Sequence, residues 1–171
     1  MKIAQSIWFC AVLLSMLFAP SAVAQVADMA PRAPIPTRIL NGKTVFISNA
    51  GVDLSSLAAY VTTHTGAPNG LYNEFYADIK NWGKYQLVDS PADAELVFEI
   101  ELLLPHPEVG ANPDVQVRIF EPKTHIILWQ LIEPVGAGSG RPTTRRKHWE
   151  TAITKLVNDM KQLVSQPAGK S

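Results

Sequence analysis

The chain has 171 residues, and its 15 lysines and arginines balance its 15 aspartates and glutamates, so the formal net charge at pH 7 is zero. This balance argues against general binding of nucleic acid or of an anionic membrane, because each needs a basic excess or a basic face. A single cysteine rules out an intramolecular disulfide, so a packed core must hold the fold.

The amino-terminal 24 residues have the layout of a secretory signal peptide. Lys2 gives a positive start, residues 7–18 form an apolar run, and the small-residue site Ala22-Val23-Ala24 follows. The run is shorter than the roughly 20 residues of a membrane-spanning helix. We therefore expect cleavage after Ala24, a periplasmic or secreted product, and no membrane span.

A lipid anchor is not expected. A bacterial lipoprotein needs small residues just before its cysteine, whereas Trp8 and Phe9 precede Cys10. Residues 25–42 are predicted to be a flexible leader, because several prolines interrupt a stretch with little hydrophobic periodicity.

One folded domain is predicted over residues 43–165, followed by a disordered tail over residues 166–171. A first strand is expected at residues 44–48, where β-branched and aromatic residues precede Asn-Ala-Gly. Apolar residues at helical spacing over residues 54–61 favour a short helix, and residues 62–70 are expected to form a loop.

A second helix is predicted over residues 71–82. Asn69 is expected to cap its start, and Gly83 to end it in the left-handed conformation. Its apolar face consists of Leu71, Phe75, Ile79 and Trp82.

Two strands and a turn follow. Residues 85–88 predict a short strand and residues 89–94 a turn. From Glu95 the apolar and acidic residues alternate, which predicts a third strand with one buried face and with Glu99 and Glu101 in water.

The next two strands are predicted to form a hairpin around Pro122-Lys123-Thr124. Pairing of Glu121 with His125 would give the hairpin an apolar face. Trp129 is then expected to be structural, and Trp129→Ala to cost roughly 3–5 kcal/mol. The predicted apolar pairs are Ile119 with Ile127, Val117 with Trp129, and Val115 with Leu131.

A long final helix is predicted after a cap at Thr143 or Thr144. Its apolar stripe is Trp149, Ala152, Ile153, Leu156, Met160, Leu163 and Val164. The element order β-α-β-β-β-β-α predicts an α+β fold, a two-layer α/β sandwich in which two main helices cover one face of a mixed sheet of about five strands.

Motifs for catalysis or metal binding are weak. His64, His106, His125 and His148 include no pair at the helical spacing of a metal site. No Gly-x-Ser-x-Gly motif occurs. We therefore predict no catalytic residue, no cofactor and no metal, with a small hydrolase or a metal-dependent enzyme built on loop residues as the alternative.

Basic residues crowd the start of the final helix. Arg141, Arg145, Arg146 and Lys147 lie where the helix dipole disfavours cations, beside a glycine-rich loop. Two interpretations stay open, a solvated basic patch and a contact with an acidic partner or a phosphate-bearing ligand.

The strand at residues 43–47, the phrase Ala92-Asp93-Ala94-Glu95-Leu96-Val97 and a hairpin ending in Ile127-Leu128-Trp129 carry a resemblance. The chain resembles small exported bacterial proteins of unknown function. It is similar in architecture to the group that contains the TolB amino-terminal domain, CsgG and the penicillin-binding-protein-activator lipoproteins. This resemblance implies a largely non-enzymatic protein that works by protein contact in the cell envelope.

The sequence therefore favours an exported, non-enzymatic interaction or accessory domain, whose partner is an unidentified envelope protein or an acidic ligand. A module that binds an anionic small molecule is a further alternative. An enzyme should have a concave pocket into which polar side chains of several loops converge. An interaction domain should have an apolar patch or an open sheet edge.

Overall fold

A computed structural model describes residues 33–50, 67, 69–103, 112–136 and 141–165. A mixed sheet and the helices beside it account for most of these residues. The helices are α1 (Thr37–Asn41), α2 (Gly70–Trp82) and α3 (Pro142–Ser165), and the strands are β1 (Thr44–Asn49), β2 (Gln86–Leu87), β3 (Leu96–Leu103), β4 (Asp114–Phe120) and β5 (Ile127–Pro134).

The sheet has the strand order β2-β1-β3-β4-β5. β1 lies between β2 and β3 and is parallel to both, whereas β4 is antiparallel to β3 and to β5. The two edges differ in length, since β2 has two residues and β5 has eight. Among the described residues, the long, antiparallel side of the sheet therefore ends in β5, with no further strand beside it.

The core lies between one face of the sheet and the helices α2 and α3. β3 alternates buried and half-buried residues along its whole length, as its sequence pattern predicts. The apolar stripes predicted for α2 and α3 are buried except for Trp82 and Val164, which are partly buried, and Val157 joins the second stripe. This two-layer arrangement confirms the predicted α+β fold.

The tryptophans occupy different depths. Trp149 is fully buried beneath α3, whereas Trp82 and Trp129 are partly buried and pack against the margin of the core. A smaller loss of packing is therefore expected when Trp129 is truncated than for a fully buried tryptophan.

The leader prediction needs a correction at its carboxyl end. Residues 37–41 form the helix α1 rather than an extended segment. Ile39 is fully buried, and Arg38 forms an ion pair with Glu121 at the end of β4. Burial of an apolar side chain thus orders a stretch whose local composition favours disorder.

The predicted hairpin register is wrong by two residues. Ile119 pairs with Trp129, and Val117 with Leu131. The connection between the strands is longer than predicted, because His125 adopts a left-handed conformation (φ 56°) and the ladder is irregular at Ile119/Phe120. A shift of two residues preserves side-chain parity, so the buried face of β4 is as predicted.

The helix ends test the predicted caps. Gly83 ends α2 in the left-handed conformation (φ 69°), which confirms that prediction. Asn69 precedes α2, but its side chain forms no capping hydrogen bond. α3 begins at Pro142, so Thr143 and Thr144 lie inside its first turn and neither is the cap.

A reciprocal contact fixes the starts of β1 and β3. The Glu95 carboxylate accepts hydrogen bonds from the backbone N–H groups of Lys43 and Thr44, and the Glu95 N–H donates to the Thr44 hydroxyl. Those backbone hydrogen bonds lower the pKa of the Glu95 carboxyl. The turn before it is confirmed, since Ser90 Oγ accepts from Ala92 N at the start of a 3₁₀ turn.

Several predictions concern residues outside the described ranges. They are the signal peptide, the helix at residues 54–61, the glycine-rich loop at residues 137–140, and the tail. His64 and His106 belong to the same group.

Candidate functional site

Two of the four basic residues singled out in the sequence lie against different neighbours, Arg146 beside α2 and Lys147 beside the end of β5. Successive helical residues point about 100° apart, so Arg145, Arg146 and Lys147 leave α3 in three directions. Arg141 lies just before the helix and is exposed. The structure thus separates side chains that are adjacent in sequence.

Arg146 faces α2. Its Nε lies 2.8 Å from Glu150 Oε1, and both side chains share a shallow depression with Glu74 and Asp78. Burial raises the pKa of Glu74, the charge of Glu150 adds to this, and the Arg146 charge opposes it. The positive charge of Arg146 therefore offsets the negative charges of Glu74, Asp78 and Glu150 between α2 and α3.

Lys147 faces the opposite side and lines a large groove. This groove, the α3–β5 groove, has a volume of about 950 Å³. Its described lining residues are Asn112, Pro134, Val135, Gly136, Thr143, Thr144, Lys147, His148, Thr151, Ala152 and Lys155.

His148 forms part of the groove wall against the end of β5. Its Nδ1 is buried and has no hydrogen-bond partner among the described residues. A Cβ placed on Gly136 would lie 2.7 Å from that Nδ1 atom, so the absence of a side chain lets the backbone lie against the imidazole. Sequence reasoning missed this contact, because it depends on how α3 packs across the end of β5.

An acid borders the far end of the groove. Glu133 Oε2 lies 3.8 Å from Lys155 Nζ. Burial raises the pKa of Glu133, and a hydrogen bond and the charge of Asp159 act in the same direction, while Lys155 lowers it. Lys155 is therefore partly compensated, whereas no ion pair of Lys147 occurs within the described part of the chain.

The free edge of β5 is a second candidate surface. Val135 N donates to Pro113 O (2.8 Å). In an antiparallel ladder every second residue directs its N–H and C=O groups toward the neighbouring strand, so this hydrogen bond shows which residues of β5 face β4. By that alternation Trp129, Leu131 and Glu133 direct their backbone groups to β4. Gln130 and Ile132 direct theirs away from the sheet.

Apolar side chains accompany these outward backbone groups. Ile126, Ile127 and Ile132 have exposed fractions of 57%, 49% and 46%. Edge strands are usually protected by charges, prolines or brevity. β5 has one charged residue, Glu133, and one proline, at its last position. The sequence pattern predicts β5 as one strand of a hairpin, but it does not predict that the outer edge of this strand is exposed.

The sheet face opposite the helices carries charge pairs. Arg118 NH2 lies 2.6 Å from Glu99 Oε1 and 2.8 Å from Glu101 Oε2. Ser48, Glu99 and His125 line a depression of about 280 Å³ on this face. Glu99 is bound to Arg118, and no hydrogen bond joins Ser48 to His125 in the described ranges, so the nucleophile–base contact of a serine hydrolase is not formed there.

Within the described ranges, no three histidine, cysteine, aspartate or glutamate side chains gather as a metal site. None of the described helices combines the length and the apolar character needed to cross a membrane.

No protein-family model and no curated protein matches the chain. Solved structures similar to it include a PelC L103M dodecamer from Paraburkholderia phytofirmans, with 10% identity over 69% of this chain and 86% of that chain and a TM-score of 0.39. A putative neuraminyllactose-binding hemagglutinin homolog from Helicobacter pylori has 13% identity over 73% and 87%, with a TM-score of 0.39.

A third similar structure is uncharacterized lipoprotein B from Nitrosomonas europaea, with 16% identity over 81% of this chain and 89% of that chain and a TM-score of 0.28. The resemblance to the TolB and CsgG group stays a prediction.

Proposed function

We propose that the chain is an exported, non-enzymatic interaction domain of the bacterial cell envelope, and that it assembles through the free edge of β5. The observation that carries the proposal is an eight-residue edge strand with outward backbone groups and exposed isoleucines. An added strand would satisfy those backbone groups and cover apolar surface at the same time.

The partner we propose is a second copy of the chain, paired antiparallel about Gln130. Outward-facing residues then pair with each other, so that Gln130 meets its own copy and Leu128 meets Ile132. Trp129 lies opposite Leu131 on the other face. Apolar residues thus meet apolar residues at these central pairs, while Ile127 meets Glu133 at the two ends of the paired segment.

Neighbouring registers are less favourable. Pairing about Leu131 would set Trp129 against the carboxylate of Glu133. Pairing about Ile132 would set Gln130 against Pro134, which has no N–H to donate. The register about Gln130 moves the pairs that involve Glu133 and Pro134 to the ends of the segment, and it keeps Glu133 beside Lys155 of its own chain.

Sedimentation of the exported protein tests the assembly. We expect a concentration-dependent dimer with a dissociation constant on the order of 10–100 µM, because one strand pair is a small interface. Ile132→Lys should give a monomer, because it adds a charge to the edge. Gln86→Lys adds the same charge to the β2 edge and should behave like the wild type. A wild type that stays monomeric well above that range, or an unaffected Ile132→Lys variant, contradicts the proposal.

Export is proposed from the signal-peptide pattern. Mass spectrometry of the exported protein should give an amino terminus at Gln25. A retained Met1 or a lipid-modified Cys10 would contradict it.

For the basic residues the structure supports a narrower proposal than a single cluster. Arg146 is engaged with Glu150, whereas Lys147 faces the α3–β5 groove. We therefore propose Lys147 as the residue that contacts an acidic ligand.

A further inference from the structure

The α3–β5 groove combines a polar ridge with an apolar wall. Thr143, Lys147, Thr151 and Lys155 recur at four-residue steps along α3, and all four are exposed. Such steps keep side chains on one side of a helix. Hydroxyl and ammonium groups therefore alternate along the length of the groove.

The charged side chains that line the α3–β5 groove are the lysines Lys147 and Lys155. No carboxylate belongs to the described lining residues, and Glu133 approaches at the Lys155 end. Lys147 and Lys155 are eight residues apart, which separates their backbone positions by about 12 Å along the axis. A volume of about 950 Å³ is much larger than one phosphate needs and suits an extended ligand.

His148 contributes a ring to the wall of the groove beside Lys147. Its side chain is half-buried, and its Nδ1 is buried against Gly136 with no partner in the described residues. When Nδ1 carries no proton, Nε2 carries one and donates. Close packing against Gly136 restricts the orientation of this ring.

From the ridge, the imidazole and the volume together we infer that the α3–β5 groove binds an elongated anion with at least two acidic groups, carboxylate or phosphate. One acid lies at Lys147 and His148 Nε2, and the other lies at Lys155, where it replaces the long contact with Glu133. This ligand site is independent of the β5 edge and would hold in a monomer.

Titration of the exported protein with tripolyphosphate and with triglutamate tests the site and separates the two acid types. At low salt we expect one of them to bind, with NMR shifts concentrated at Thr143, Lys147 and Thr151. Lys147→Gln should weaken binding at least tenfold. Arg146→Gln is the matched control, since it removes the same charge one residue away but outside the groove, and it should change affinity less than twofold.

A second variant distinguishes the loss of a shaped site from the loss of a positive charge. Gly136→Ala keeps every charge but places a Cβ against the imidazole, so it should weaken binding severalfold while Ile132→Lys leaves binding unchanged. Equal weakening by Lys147→Gln and Arg146→Gln would overturn the proposal, because it would indicate charge attraction without a site. Failure of both probes to bind at millimolar concentration would overturn it as well.

Discussion

Replacement of Tyr85 by phenylalanine should stabilise the protein. The ring packs edge-on against Trp82 and Phe98, with centroids 5.3 Å and 5.2 Å away, so its apolar contacts are retained in the variant. The hydroxyl is buried without a hydrogen-bond partner in the described part of the chain. A buried unpaired polar group costs about 1–3 kcal/mol, and its removal should raise the free energy of unfolding by about 1 kcal/mol.

Thermal and urea unfolding at pH 7 measure this change, and we expect a rise in Tm of about 3–5 °C. Burial raises the pKa of Tyr85. The unfolded chain therefore ionises first, and the wild type should lose stability above about pH 10 more steeply than Tyr85→Phe does.

Tyr72→Phe is the matched control. The Tyr72 hydroxyl donates to Ile47 O over 3.5 Å, so the same deletion should cost about 0.5 kcal/mol there. A Tyr85→Phe variant that loses 1 kcal/mol would refute the reasoning, because it would show that the hydroxyl has a partner.

Four further substitutions test the fold. Gly83→Ala should destabilise by about 1 kcal/mol in urea unfolding, because its φ of 69° is strained for any residue with a Cβ; no change would contradict the left-handed cap. Glu95→Gln should lower Tm at pH 7, and the difference from the wild type should shrink below about pH 4. The lowered pKa of Glu95 stabilises the fold above the ordinary carboxyl pKa, and this gain is lost when the carboxylate is protonated. A difference in Tm that persists at pH 3 would contradict this reasoning. Trp149→Ala should cost about 3–5 kcal/mol and the partly buried Trp129→Ala about 2 kcal/mol by chemical denaturation; the reverse order would contradict the observed burial.

Local patterns predicted most of the fold because periodicity is a direct consequence of burial. The alternation in β3 and the apolar stripe of α3 specify which face meets the core. The hairpin register depends instead on the backbone conformation of His125, a non-glycine residue with positive φ. Histidine adopts that conformation more often than most residues but still uncommonly, so the register was predicted wrongly although the face was right.

The candidate site was less accessible to sequence reasoning. A cluster in sequence is not a cluster in space on a helix, and Arg146 and Lys147 face different neighbours for that reason. The contact of His148 with Gly136 exists because α3 returns across the end of β5. The exposure of β5 follows from its place at the end of the strand order, which depends on the whole topology.

Amide hydrogen exchange along β5, followed by NMR at two protein concentrations, tests the proposed assembly most directly. Trp129 and Leu131 donate to β4 by the ladder alternation and should be protected at both concentrations. Gln130 and Ile132 should exchange rapidly in dilute protein and become protected when the concentration exceeds the dissociation constant of the dimer. Rapid exchange of Gln130 and Ile132 at every concentration would contradict assembly through this edge.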